Sequence, residues 1–584
     1  MLFAGHAGVG IDGWWYELDW ENYTARFFGC QLGPCNYDAT YINIPTSVSY
    51  KEPLISEEEK YFTVTSIGYE ALMENANVKS ISIPSTVKLI EHGAFAGCSN
   101  LTSVGIPSSV NKIGYEAFSG CSSLSSISIP GSVNDIGEYA FSGCTNLSIV
   151  NIPLGITDIN SHVFRGCSKL VSVAIPNTVM YIWWGAFSEC TSLQSVIIPN
   201  SVVNIDKDVF SGCTSLSFVD IPISVTNIES GAFQNCKNLT TVTLSSNTLV
   251  SKDYSWSYNF QSIFGHQVKK YIISDGIIRI GNEAFYECDS LESVILPNTL
   301  VSIGKSAFAA NRHLYSVSIP NSVTDIETYA FWSCALTSVA IGSNVKNIGN
   351  YAFSDCSSLP SIYIPNSVTT IGEWSFWKCE ELKSVSISNG VQTIGDYAFA
   401  NCNNLSEIHF RGTISNWCAK SWANKLTVPS KTGYALYTEE GRVENLVVPN
   451  GVKSITQQAF DHNIHITALQ LPASLDSIAE QAFHKCTSLK SIRCDAVTPP
   501  TLGSYVLLYV DNSIPLYVPT ESIDLYKEAW GWKEFFNIHP ISEFPTSVDN
   551  VLENDGNKQK LLRDGQILIQ NGERLYTITG QQLE

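Results

Sequence analysis

The chain has 584 residues, 44% of them hydrophobic and only 15% charged, with 34 basic against 54 acidic side chains and a formal net charge of −20. That much apolar material builds a core and argues against disorder. An acidic balance without any Lys/Arg-rich block argues against nucleic acid and anionic membranes, which need clustered cations, and no apolar run approaches the roughly 18 to 20 residues of a spanning helix.

In chain order, the N-terminus "MLFAGHAGVGIDGWW" lacks both the basic start and the long apolar region of a signal peptide, so an export leader is not expected within this sequence. A repeat takes over near residue 62. Leu72 is followed at 23-residue steps by Phe95, Phe118, Phe141, Phe164, Phe187, Phe210 and Phe233. A second run gives Phe285, Phe308, Phe331, Phe353, Phe376 and Phe399, its single 22-residue step reflecting one deletion in "CALTSV". Phe460 and Phe483 complete sixteen units. A period this regular predicts a solenoid, whose units close their core only by stacking.

Within one unit, "LTSVGIP" (101–107) carries the L-x-x-L-x-L pattern of a leucine-rich repeat strand, with Val104 and Ile106 inward and Ser103 and Gly105 outward. Pro107 stops the strand because it has no N–H for the ladder. Val110 and Ile113 return to the core, and "YEAFSGC" is expected to form one helical turn that buries Phe118. At about 4.8 Å per parallel strand, sixteen units would span roughly 75 to 80 Å. Two segments break the period, residues 246–268 and 411–441. Either could carry binding specificity, but covering local core is the favoured reading.

The phrase I-P-x-S-V-x-x-I-G-x-x-A-F-x-x-C-x-x-L-x-S-V, recurring over roughly residues 62–494, resembles the BspA-like (Treponema pallidum-type) leucine-rich repeat family. The resemblance implies a secreted or cell-surface protein of a Bacteroidales-type bacterium, in a family with adhesins for host matrix or other cells. Residues 12–48 resemble the family's N-terminal hairpin region, which would shield the first strand edge. Residues 495–540 resemble its C-terminal cap, and the last stretch resembles short tails of exported Bacteroidetes proteins.

Thirteen of the seventeen cysteines stand three residues after the repeat aromatic: Cys98, Cys121, Cys144, Cys167, Cys190, Cys213, Cys236, Cys288, Cys334, Cys356, Cys379, Cys402 and Cys486. Units without one carry Asn75, Asn311 or Asn463 there. Asparagine forms no disulfide and is a poor soft-metal ligand, so the position reads as a structural polar ladder that donates to backbone. Cys494 falls on an inward strand place, Cys418 has no matched base, and Cys30 and Cys35 could form one disulfide in an oxidising compartment.

Catalysis needs titratable groups converging on a pocket, and the outward strand places are mostly Ser, Gly and Ala. No catalytic residue, cofactor site or metal site is therefore expected. The departures are the candidate partner-binding residues Ile197, Phe218, Asp220, Tyr363, Glu407 and His409. Glu407 and His409, with His462 or His465 across the second break, would make a metal site, but a solvated edge is the favoured reading. Trp183, Trp184, Trp332, Trp374 and Trp377 read as core thickening rather than a platform for glycans.

The expected architecture is an α/β solenoid, a right-handed leucine-rich repeat with one short parallel strand per 23-residue unit. Its parts are an N-terminal cap with hairpin (1–61), repeats 1–8 (62–245), an insert (246–268), repeats 9–14 (269–410), an insert (411–441), repeats 15–16 (442–494), a C-terminal cap (495–540), and a linker with short tail (541–584). The expected function is extracellular binding of a protein or glycan by a monomer. A self-associating structural protein is the alternative, and an enzyme with its site in an insert is less favoured.

Overall fold

The computed structural model describes residues 6–29, 38–51, 58–422 and 433–544, and the backbone of strands Lys558–Arg563, Gln566–Asn571 and Arg574–Thr577. Cys30 and Cys35 lie outside the described residues. The chain divides into two compact units, residues 1–409 with 425–430 and residues 410–424 with 431–584.

In the first unit each coil begins with a short parallel strand. Ser103–Gly105 pairs with Ser80–Ser82 so that Ser103 faces Ser80 and Val104 faces Ile81. Val104 is buried and its neighbours are exposed, as the alternation of side chains across a strand requires. Beyond Pro107 a second strand, Lys112–Ile113, pairs in parallel with Leu89–Ile90 before it and Asp135–Ile136 after it. Each coil thus has two strand-bearing sides, the second one contributing Ile113 to the core.

The third side differs from the expected helical turn. Residues 115–120 form consecutive turns and no α-helix, because Glu116 and Gly120 adopt left-handed backbone at φ 54° and 72°. Such a conformation costs an L-residue about 1 to 2 kcal/mol. Its compensation is a third ladder: the N–H groups of Glu116, Phe118 and Gly120 donate to Glu138, Ala140 and Ser142 of the next coil at 2.9, 2.8 and 2.7 Å. The intervening Ala117, Ser119 and Cys121 close onto Gly114, Glu116 and Phe118 within the coil. A helix would keep all these donors inside one coil, leaving its neighbour's carbonyls without partners.

Beneath this arc the repeat phenylalanines stack face to face, from Phe95–Phe118 at 5.1 Å to Phe376–Phe399 at 5.1 Å. Residues 246–268 enter the same stack. Helices Asn247–Ser251 and Phe260–Phe264 are capped by Ser246 and Asn259, Phe264 stacks on Phe233 at 5.2 Å, and Phe260 meets Phe285 at 4.7 Å. Gly231 and Phe233 donate to the carbonyls of Ser262 and Ile263, so this break supplies an atypical coil. At the start, strands His6–Ile11, Trp14–Asp19 and Thr24–Gly29 form an antiparallel meander whose last strand pairs with Lys60–Ile67.

The second unit contains a parallel sheet of Asn445–Val447, Ala468–Leu471, Ser491–Cys494, Leu516–Val518 and Ile538–Pro540. Helix Ile414–Cys418 is capped by Thr413 and anchored by Trp417, whose indole donates to the Ala459 carbonyl at 2.8 Å. Helix Ile523–Glu528 covers the last coils through Tyr526, which donates to the Ala496 carbonyl at 2.8 Å. The three strands from Lys558 to Thr577 form an antiparallel meander. Among the described residues no helix is long and apolar enough to cross a membrane.

Candidate functional site

The outward strand face is built from two columns, one residue from each end of every three-residue strand. Register aligns Ser126 with Ile149, Asn151 with Ala174, Ser172 with Ser195, and Ala174 with Ile197. Strand Phe218–Ile221 belongs to the following coil. Most of these places are small and polar, but four successive coils replace them with apolar groups. Ile149 is 69% exposed, Ile197 79% and Phe218 43%, with exposed Ala174 between them. Leu154 and Ile223, just after the prolines that end two of these strands, are equally open. Exposed Ser172 and Ser195, paired with each other, stand in the same column between Ile149 and Phe218, and exposed Ser126, Ser128 and Asp220 lie at the ends of the two columns.

Sequence reasoning singles out Ile197, Phe218 and Asp220 here and misses Ile149, Leu154 and Ile223. The signal for Ile149 is legible in "LSIVNIP", where an isoleucine occupies a place held by serine in neighbouring units. Tyr363 lies apart on strand Ser361–Ile364, half-exposed and opposite Ser386. Glu407 and His409 are bonded to each other, Oε2 to Nε2 at 3.0 Å. His465 Nδ1 meets an Arg442 guanidinium nitrogen at 3.0 Å, while His462 meets Asp461 and Lys485.

Two of the tryptophans stack on tyrosines. Trp374 lies between Tyr351 at 6.0 Å and Tyr397 at 4.4 Å, near-parallel to both, and Trp183 stacks on Tyr181 at 5.8 Å while donating to Asp158 at 3.0 Å. The Lys378 ammonium sits 4.6 Å over Trp377. Trp183 and Trp184 nevertheless remain 38% and 48% exposed, so these two do not thicken the core as expected.

Twelve of the thirteen aligned thiols donate to the carbonyl of the repeat aromatic, or of Leu72, one coil earlier, at 3.0 to 3.3 Å. Cys288, which follows the first insert, has burial as the largest influence on its thiol and Tyr271 beside it. Asn311 takes the thiol's place, its amide donating to Phe285 at 2.9 Å. Asn75 and Asn463 instead accept from backbone N–H groups of their own turns, Asn75 from Asn77 and Val78 and Asn463 from His465. Burial pushes the thiols of Cys98, Cys144, Cys190, Cys236, Cys334 and Cys418 up to about 12, so they carry no nucleophilic thiolate near neutral pH.

A family model described as "BspA type Leucine rich repeat region" matches in six copies over residues 65–190, 157–265, 257–335, 302–428 and 430–544. No curated protein matches the chain. Among solved structures, a leucine-rich repeat protein from Bacteroides ovatus is 27% identical, with 70% of this chain and 99% of that one covered at a TM-score of 0.44. A leucine-rich cell surface protein from Faecalibacterium prausnitzii is 28% identical, covering 71% and 97% at a TM-score of 0.35. The leucine-rich repeat protein of T. pallidum is 21% identical, covering 32% and 91% at a TM-score of 0.26.

Proposed function

The chain belongs to the BspA-type leucine-rich repeat family, and on that premise we propose that it is a secreted or cell-surface recognition protein that binds an extracellular protein through its outward strand face. The observation that carries the reading is the run of exposed apolar side chains Ile149, Ala174, Ile197 and Phe218, one from each of four successive coils of an otherwise serine-rich face. Exposed apolar side chains spaced among small polar ones suit a protein interface, where a few anchors buried by the partner supply most of the affinity. Covering an Ile or Phe side chain contributes about 1.5 to 3 kcal/mol. Burial of the thiols also suits an oxidising surrounding, since a neutral, inaccessible sulfur resists oxidation. No catalytic step is part of this proposal.

The test is an array of extracellular-matrix and bacterial-surface proteins probed with the purified chain and with Ile197→Asp and Phe218→Ser. The expected result is a bound partner whose affinity falls at least about tenfold in each variant, with melting temperature unchanged. Absence of binding to every array member by folded protein, or binding indifferent to both substitutions, overturns the proposal.

A further inference from the structure

The second unit holds a side-chain cluster that binding through the outward strand face does not use. Asp461 and His484 each follow a repeat phenylalanine directly and lie 23 residues apart, so stacking of Phe460 on Phe483 at 5.3 Å places them in one column of the turn arc. His462 comes next in the chain, with left-handed backbone at φ 59°, and its N–H donates to the His484 carbonyl at 2.9 Å. The backbone ladder therefore holds three potential ligands from two coils at one point. Their ligand atoms all lie within 4.8 Å of one another. Asp461 Oδ1 is 2.8 Å from Nδ1 of His462 and 2.8 Å from Nδ1 of His484. The imidazole planes are nearly perpendicular, at 79°, so both nitrogens meet the same carboxylate oxygen from different directions. His484 is buried, whereas Asp461 and His462 are half-buried and leave the cluster open to water.

We propose that Asp461, His462 and His484 form a binding site for a divalent transition-metal ion of the zinc type. Two imidazoles and one carboxylate with an open fourth position for water are a donor set suited to Zn²⁺, Co²⁺ or Ni²⁺ and poorly suited to Mg²⁺ or Ca²⁺, which take oxygen ligands. The hydrogen-bonding state defines what the ion must displace. An ammonium can only donate, so Lys485 Nζ, 3.0 Å from His462 Nε2, makes that nitrogen the acceptor and puts the ring proton on Nδ1, facing Asp461. Binding through Nδ1 moves that proton to Nε2 and leaves each imidazole neutral. Lys485 must then release the ring; its ammonium already lies 5.8 Å over the Tyr509 ring, where it can remain. Lys485 is thus the competitor that sets the affinity, through both its charge and its hydrogen bond.

Calorimetric titration of the full chain with ZnCl₂, with MgCl₂ as control, tests this. Zinc is expected to bind at one high-affinity site, and magnesium not at all. His462→Asn, at the half-exposed member, and His484→Gln should each weaken binding at least about tenfold, because each removes a ligand. Lys485→Met, which keeps all three ligands, should tighten it severalfold. A purely structural hydrogen-bond network gives no such gain. Failure of the wild-type chain to take up zinc, wild-type affinity in either histidine variant, or no gain in Lys485→Met overturns the proposal.

Discussion

A sulfur–carbonyl contact repeated coil after coil explains why one position of the repeat tolerates cysteine and asparagine. Cys121 Sγ lies 3.2 Å from the Phe95 carbonyl, and Asn311 reproduces that donation to Phe285 at 2.9 Å with a side chain of similar size. Cys121→Asn should therefore cost little. Cys121→Leu removes the donor from a buried carbonyl and forces extra volume into the arc, and should cost about 1 to 3 kcal/mol in urea unfolding. Equal stability of the two variants would remove the hydrogen bond from the explanation. The identity of this position was legible in the sequence because sixteen aligned copies show which side chains are accepted. The different behaviour of Asn75 and Asn463 was not, since both accept from backbone N–H groups of their own turns, which the residue type alone does not distinguish from donation. The pairing of Asp461 with His484 was missed for a related reason: it matters through a neighbour 23 residues away.

At the scale of elements, the strand read from L-x-x-L-x-L appears where the alternation of apolar residues puts it, since three residues with one buried centre suffice to mark it. The second strand has only two residues, too few for any alternation to be read. The arc around Phe118 resembles a helical turn locally, because Glu and Ala favour helix. Its actual form is decided by the carbonyls of the next coil, which no single repeat displays. The same dependence governs the first insert, where Phe264 continues the aromatic stack beside Phe233. Phe264→Ala should open a cavity costing about 3 to 5 kcal/mol. Because a repeat mainly contacts its neighbours, the loss of amide protection should concentrate in the coils carrying Phe233 and Phe285. A uniform loss along residues 80–400, measured by hydrogen exchange, would contradict the account of this insert as a core-completing coil.

Across the whole molecule the buried thiols couple stability to alkaline pH. A cysteine thiol ionises near 8.5 in an unfolded chain, whereas burial pushes Cys98, Cys144, Cys190, Cys236, Cys334 and Cys418 up to about 12 in the fold. Cys121, Cys167, Cys213, Cys356 and Cys379 shift in the same direction, again first through burial. Between these limits the unfolded chain has released protons that the folded chain still holds, so stability falls as pH rises. The contribution is fully present below about pH 8.5 and is lost progressively toward about pH 12. Buried tyrosines such as Tyr271 add to the decline at the upper end, since their hydroxyls are also pushed up by burial. The urea midpoint should therefore drop steeply from pH 8 to pH 10.5. Thiolate absorbance near 240 nm should stay low in the folded chain and rise together with unfolding. If thiolate formed at pH 10 while the secondary structure stayed intact, the sulfurs would have to be reachable by water, and the stacked core could not be what holds their protons.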